Sequence, residues 1–173
     1  MLMTTSSVRR RLFTITLRRA QQTPPVAQLG TLREAIYRTG PQDCVQTAGS
    51  GPAWSNKPPV VASCAVIRLC EEICMVALLD TMPEGYCSLG TRQHLGHLGP
   101  IAIGAEVTIT ARCVRARGKF SSWQVTVRDS HETVGEGRMD FVAVHRPRYE
   151  AQRLAPKHAA LGHTSSAIPC PTS

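Results

Sequence analysis

The sequence predicts an α+β fold, one long and almost wholly apolar helix covered by an antiparallel sheet, and three observations predict it. The stretch VVASCAVIRLCEEICMVALLDTM (60–82) is apolar around most of its circumference at helical spacing. Four strand-like stretches follow it, separated by turn residues. The length of 173 residues suits one domain of roughly 100–150 residues with extensions at its ends.

The first element is not part of that domain. Residues 1–33 carry Arg9, Arg10, Arg11, Arg18, Arg19 and Arg33 and no carboxylate; the first acid is Glu34. MLMTTSSVRRRLFTITLRRAQQTPP, closed by Pro24-Pro25, has the Arg/Ser/Thr-rich, acid-free composition of an organelle-targeting presequence, most simply a mitochondrial one. A basic tail with no address is the alternative. A secretory signal fits less well, because Leu12–Leu17 is too short and too polar. This places a disordered targeting segment at 1–33, the folded domain at 34–148 and a flexible Pro/Ala/Ser/His-rich tail at 149–173.

The formal net charge of +8 belongs to those ends, since residues 34–145 carry a net charge of −1. A neutral middle with 5% aromatic residues argues against a nucleic-acid partner. The longest uninterrupted apolar run, Ile73–Leu79, is far short of the ~20 residues of a membrane span.

LREAIY (32–37) reads as a strand, followed by loop punctuation at Gly40-Pro41, Gly49, Gly51-Pro52 and Pro58-Pro59. The helix is expected from about Cys64 to Asp80, with Ser63 as its N-cap. Val66, Leu69, Cys70, Ile73 and Ala77 define one face, and Ile67, Cys74, Val76 and Leu78 widen it. Strands are expected at Tyr86 to about Leu98, Gly104–Arg117, Phe120–Arg128 and Val134–His145, as a four-stranded meander. A sheet that covers so apolar a helix curls around it, the hot-dog arrangement. Its open edges favour a homodimer.

Seven cysteines, an odd number without a CxxC pair, fit a reducing compartment. Cys70 and Cys74 stand i,i+4, a spacing that can ligate metal, but on an apolar face cysteine acts as a small hydrophobe. No metal and no cofactor are expected.

Three residues stand out chemically. Glu72 is accounted for by an i,i+4 pair with Arg68, whereas Glu71 sits at the flank of the buried face with no helical partner. Ser63 lies among the unpaired N–H groups of the helix start, where negative charge is favoured. In SLGTRQHLGHLGP, His94 and His97 are three apart on a strand and face opposite sides, so one of them at most faces the helix. Gly90 and Gly96 leave room for a ligand to approach the backbone.

From Val60 to about Lys157 the chain resembles the fluoroacetyl-coenzyme A thioesterase group of the hot-dog thioesterases. The resemblance rests on A-[ST]-x7-E (Ala62 to Glu71), on S-L-G-T-x5-H (Ser88 to His97), and on the SSWQVTVRDSHETVGEGRMDFVAVH run. It implies an acyl-CoA substrate, a catalytic hydroxyl at Ser63, carboxylate at Glu71 and histidine at His97, and a substrate-contacting glycine at Gly90. It further implies that His97 acts as base toward water or the Ser63 hydroxyl with Glu71 orienting its imidazolium, and it leaves three candidate nucleophiles: water, Ser63 and Glu71 itself. The group's pocket arginine falls on Phe141, a substrate-binding position here, and its acyl-gating aromatic falls on Lys57, near Trp54. Both are linked to the fluorinated acyl group, so a general short- or medium-chain acyl thioester is expected. Lys119, Arg146 and Arg148 are candidate partners of the coenzyme A phosphates. A hot-dog module kept for binding or assembly in an organellar complex is the alternative from another class. No Asp-x5-His pair of the hot-dog hydratases is present.

Overall fold

A computed structural model describes residues 26–162. Alternating apolar and polar residues build β1 (Leu32–Arg38), β2 (Tyr86–His97), β3 (Glu106–Arg117), β4 (Phe120–Arg128) and β5 (Thr133–His145). The short α1 (Pro52–Ser55) precedes the long α2 (Ser63–Leu79). After β5 come α3 (Arg146–Tyr149), a π-type turn at Glu150–Leu154, and α4 (Ala155–Ala160).

The five strands form one antiparallel sheet in the order β1-β3-β4-β5-β2. Only β3, β4 and β5 form a meander, so the expected four-stranded meander is corrected. β2 pairs with β5 at the far edge, because residues 98–105 do not turn back as a hairpin. Ile101, 1% exposed, anchors that connection in the core, and its carbonyl accepts the Val61 N–H at 2.9 Å. The β3–β4 link is a two-residue turn, with Gly118 at φ 54, a left-handed conformation that favours glycine.

α2 packs against all five strands. Its buried face is Ala65, Val66, Leu69, Cys70, Ile73, Cys74, Ala77 and Leu78. The sheet meets it with Val107, Ile109, Trp123, Val125, Val127, Met139 and Phe141. Each such aliphatic or aromatic burial contributes about 1.5–3 kcal/mol. Cys70 and Cys74 are wholly buried in this layer, and burial pushes the Cys70 thiol up to about 12 and the Cys74 thiol further up. Val76, expected on the buried face, is 52% exposed, because the sheet of one chain covers one side of the helix only.

The domain also begins earlier than the expected boundary at 34. Val26 and Ala27 are buried, Gly30 N–H donates to the Cys113 carbonyl at 2.9 Å, and Arg33 ion-pairs with Asp80 at the end of α2. An acid-free composition does not stop where packing starts. At the other end, residues 149–160 of the expected flexible tail are helical. Pro147 sits at the start of α3, and Arg146–Glu150 (2.8 Å) and Arg148–Gln152 (3.3 Å) are i,i+4 pairs that favour helix. Most of the expected targeting segment, 1–25, and residues 163–173 of the expected tail lie outside the described residues.

Candidate active site

β2 lies beside α2 and carries most of the chemistry. Its pairing with β5 shifts between Gly90 and Arg92, a bulge at Thr91. Gly90 faces the helix, so strict alternation would turn Arg92, His94 and Gly96 the same way. The bulge advances the phase by one residue and turns Gln93, Leu95 and His97 inward instead. His97 therefore meets α2, and His94 faces the other side of the sheet.

Ser63 is the first residue of α2, and Ala62 occupies the cap position with no side-chain cap bond. The expected capping role of Ser63 is thus corrected: its Oγ hydrogen-bonds His97 Nδ1 at 2.9 Å. The other ring nitrogen, Nε2, is buried without a hydrogen-bond partner among the described residues. Such an orphaned polar atom is uncommon in a folded core and marks the imidazole as a group with unused capacity.

A second cluster forms further along the helix. Glu71 Oε1 accepts a hydrogen bond from Gln93 Nε2 at 2.7 Å. Gly90 lies directly beneath this pair. A Cβ there would overlap the Glu71 carboxylate and come within 2.8 Å of Gln93 Nε2. Gly90 is therefore required by close approach and not by backbone twist, since its φ is not in the left-handed region. Sequence reasoning missed Gln93. The signal was available, because any register that turns His97 inward also turns Gln93 inward.

The two clusters are separate within one protomer. The eight helical steps from Ser63 to Glu71 span ~12 Å, and the four strand steps from Gln93 to His97 span ~13 Å. Glu71 bonds to Gln93 and not to His97, so the expected contact between carboxylate and imidazole is absent within the chain.

Phe141 pairs across the ladder from Gly90 and is 1% exposed, an apolar ring in the core on the same face of the sheet. Lys57 is exposed, and Trp54 is half-buried, folded over Gly49 in the loop before α2. Of the three candidate phosphate-binding cations, Lys119 is exposed at the β3–β4 turn, Arg146 is tied to Glu150, and Arg148 is bonded to Gln152.

Asp43 also went unnoticed in the sequence. It is 2% exposed and accepts from Tyr37 Oη (2.8 Å), Gly40 N–H (2.9 Å) and Arg68 (3.0 Å). Its carbonyl accepts the Ala62 N–H at 2.7 Å, which fixes the head of α2 where Ser63 stands. Arg68 thus serves a buried carboxylate as well as Glu72, which it meets at 3.4 Å.

Residues 41–146 match the family described as FlK, fluoroacetyl-CoA-specific thioesterase. A fluoroacetyl-CoA thioesterase of Streptantibioticus cattleyicolor is 28% identical over 101 residues, 58% of this chain and 73% of that one. A solved structure of the fluoroacetyl-CoA thioesterase FlK superposes with a TM-score of 0.69 at 25% identity, covering 72% of this chain and 93% of that one. A thioesterase superfamily member from Thermus thermophilus, 20% identical, shares the fold with a TM-score of 0.69 over 79% of this chain and 97% of that one. With the match spanning α2 and all of β2 to β5, the chain belongs to the FlK family of hot-dog thioesterases.

Proposed function

We propose that the protein hydrolyses a short- or medium-chain acyl-CoA to the free acid and coenzyme A. The observation that carries this reading is the 2.9 Å hydrogen bond between Ser63 Oγ and His97 Nδ1 at the head of α2. His97 takes the proton of the attacking hydroxyl, that of Ser63 or of a water beside it. The oxygen adds to the thioester carbonyl, and backbone N–H groups at the start of α2 or at Gly90 hold the oxyanion. Collapse breaks the C–S bond, and the leaving thiolate receives the proton from the imidazolium. A water completes the sequence when Ser63 has been acylated. The buried ring of Phe141 opposite Gly90 supports a plain aliphatic acyl group over a fluorinated one.

The active unit in this proposal is a homodimer. β2 has a single neighbour, β5, and its outer edge is unpaired among the described strands. Antiparallel pairing of β2 with its own copy about a two-fold axis brings opposite halves of the strand together. His97 and Ser63 of one protomer then approach the partner's Gly90 and Glu71, which closes the ~12 Å gap between the two clusters. Glu71, held by Gln93, orients the imidazolium across the interface. The Arg-rich, acid-free composition of residues 1–25 supports import into a mitochondrion.

The test is thiol release by the full chain against acetyl- to octanoyl-CoA, with Glu71→Ala and His97→Ala in parallel. Hydrolysis lost in both variants supports the proposal. Absence of hydrolysis with every substrate, or activity surviving both substitutions, overturns it and leaves the reading of a non-catalytic hot-dog module.

A further inference from the structure

The outer face of the sheet, turned away from α2, is electrically divided. Across β3, β4, β5 and β2 the ladder sets Arg115, Ser122, Asp140 and Arg92 in one row. Arg112, Gln124, Arg138 and His94 form the row beside it. Their strand neighbours Trp123, Met139 and Phe141 point the other way, into the core. Arg117 and Lys119 continue the strip to the β3–β4 turn. At the opposite end of the face, Glu34, Glu106 and Glu136 offset Arg38 and Arg128. A stretch of net charge −1 thus has one strongly basic end.

Five of its cations, Arg92, Arg112, Arg115, Arg117 and Lys119, are exposed and have no ion pair among the described residues. The sixth, Arg138, is bound to Asp140 at 3.0 Å and to Ser122 Oγ at 2.8 Å. Partial burial works to raise the Asp140 carboxyl, but hydrogen bonds from Ser122 and Arg138 and the charges of Arg138 and Arg92 hold it below its ordinary value. The strip is also wide. Three interstrand gaps of ~4.8 Å put the Arg92 backbone ~14 Å from that of Arg115, and Arg112 to Arg117 covers up to ~16 Å of strand. Like charges so arranged repel each other. A single phosphate cannot bridge that span, whereas a plane of anions can.

The strip continues past the turn, because Arg148 and Arg153 line a neighbouring concavity together with Lys119. One apolar group stands in this field. Phe120 is 53% exposed on the outer face, with Lys119 Nζ 5.4 Å from its ring centroid. It is the one exposed Phe, Tyr or Trp side chain among the described residues. A lone ring makes no stacking track for a nucleic acid. Nor does a strip of Arg and Lys form the centre of a protein interface, where charged side chains are depleted. A ring flanked by cations suits the boundary of a bilayer, with the ring at the acyl edge and the cations among the headgroups.

We infer that the basic end of this face docks on an anionic lipid bilayer, with Arg92, Arg112, Arg115, Arg117 and Lys119 among the headgroups and Phe120 at the acyl boundary. The surface is complete within one chain and does not depend on the hydrolysis proposed above. In the proposed dimer, antiparallel pairing through β2 continues the sheet about a perpendicular two-fold axis, so both outer faces lie on the same side.

The experiment measures sedimentation of the full-length protein with vesicles of phosphatidylcholine, alone or with about 30% phosphatidylserine. Three variants run beside it, after a thermal melt of each: Arg115→Gln/Lys119→Gln, Phe120→Ala, and Arg38→Gln/Arg128→Gln, which removes the same charge from the other end. Each cation at an anionic surface is worth about fivefold in affinity, so the hairpin double variant should need about 25 times more lipid for half binding. Phe120→Ala should need about five times more, and the far-end variant should stay within about threefold of wild type. Wild type should sediment with the charged vesicles and not the neutral ones, and less as salt is raised. Absence of binding to the charged vesicles overturns the inference. Equal weakening in the two double variants assigns the attraction to net charge and also overturns it. Wild-type binding by the hairpin variant places the attraction elsewhere in the chain, and wild-type binding by Phe120→Ala overturns the position of the ring. If the vesicles fail while tripolyphosphate or a single-stranded oligonucleotide binds, with loss in the hairpin variant, the lipid assignment falls in favour of a soluble polyanion.

Discussion

Replacing Gly90 by alanine should lower activity while leaving the fold intact. The added methyl would overlap the Glu71 carboxylate and lie 2.8 Å from Gln93 Nε2. Both obstacles are the ends of flexible side chains, and the Gly90 backbone is one that alanine adopts freely. The chain therefore relieves the contact by swinging Glu71 and Gln93 apart, which breaks their 2.7 Å hydrogen bond. A hydrogen bond to a charged group is worth about 1.5–3 kcal/mol. Losing it from the aligned carboxylate lowers kcat/KM by about 10- to 150-fold. Gly137→Ala is the contrast. There a Cβ would strike the backbone of β2, lying 2.8 Å from Leu95 Cα and 3.0 Å from the His94 carbonyl carbon. Backbone in a sheet cannot swing aside, so this variant should lose about 1–3 kcal/mol of stability, or about 4–12 °C in Tm. The assay is thiol release beside a thermal melt for each protein. Gly90→Ala with wild-type turnover, or with a Tm loss as large as that of Gly137→Ala, would refute the reasoning.

Other outcomes follow from the same contacts. Arg68→Ala should destabilise the fold by about 1–3 kcal/mol in urea melts, because the buried Asp43 keeps Tyr37 and Gly40 but loses its cation; Glu72→Ala, which removes an exposed pair, should change stability by less than about 0.5 kcal/mol. Native protein treated with iodoacetamide at pH 8 should label the exposed Cys64 and spare Cys70, Cys74 and Cys113, whose thiols burial holds above their ordinary range; mass spectrometry of the peptides reads the pattern. Asp140 has a folded value below its unfolded value near 3.9, so its stabilising contribution is present above about pH 4 and is lost as pH falls through the folded value. Asp140→Asn should therefore lower stability at pH 7 and flatten the acid limb of stability against pH.

The helix and the strand positions were legible because their periods differ, 3.6 against 2, and because Gly and Pro mark the ends. β4 matches its expected span of Phe120–Arg128, and α2 differs by one residue at each end. Sheet order was not legible. Whether β2 lies beside β3 or β5 depends on where residues 98–105 travel, and a buried Ile101 decides that through tertiary packing. In the site, Ser63, Glu71, Gly90 and His97 stood out by residue type and spacing. Their grouping did not, because a single bulged residue at Thr91 sets which side chains of β2 face the helix, and a bulge leaves no mark in a pattern read by strict alternation. The Asp43–Arg68 pair was hidden for another reason: its members are 25 residues apart, and Arg68 already had a plausible local partner in Glu72.

Mixed dimers test most directly the proposed catalysis by Ser63 and His97 of one protomer with Glu71 of the other. His97→Ala and Glu71→Ala proteins, each inactive alone, are unfolded together in equal amounts and refolded. Half of the resulting dimers carry one subunit of each kind, and each of these has one complete composite site. Thiol release should then recover to about a quarter of the wild-type value. Recovery of no activity, with the mixed dimer shown to be present by mass spectrometry, would contradict the shared site.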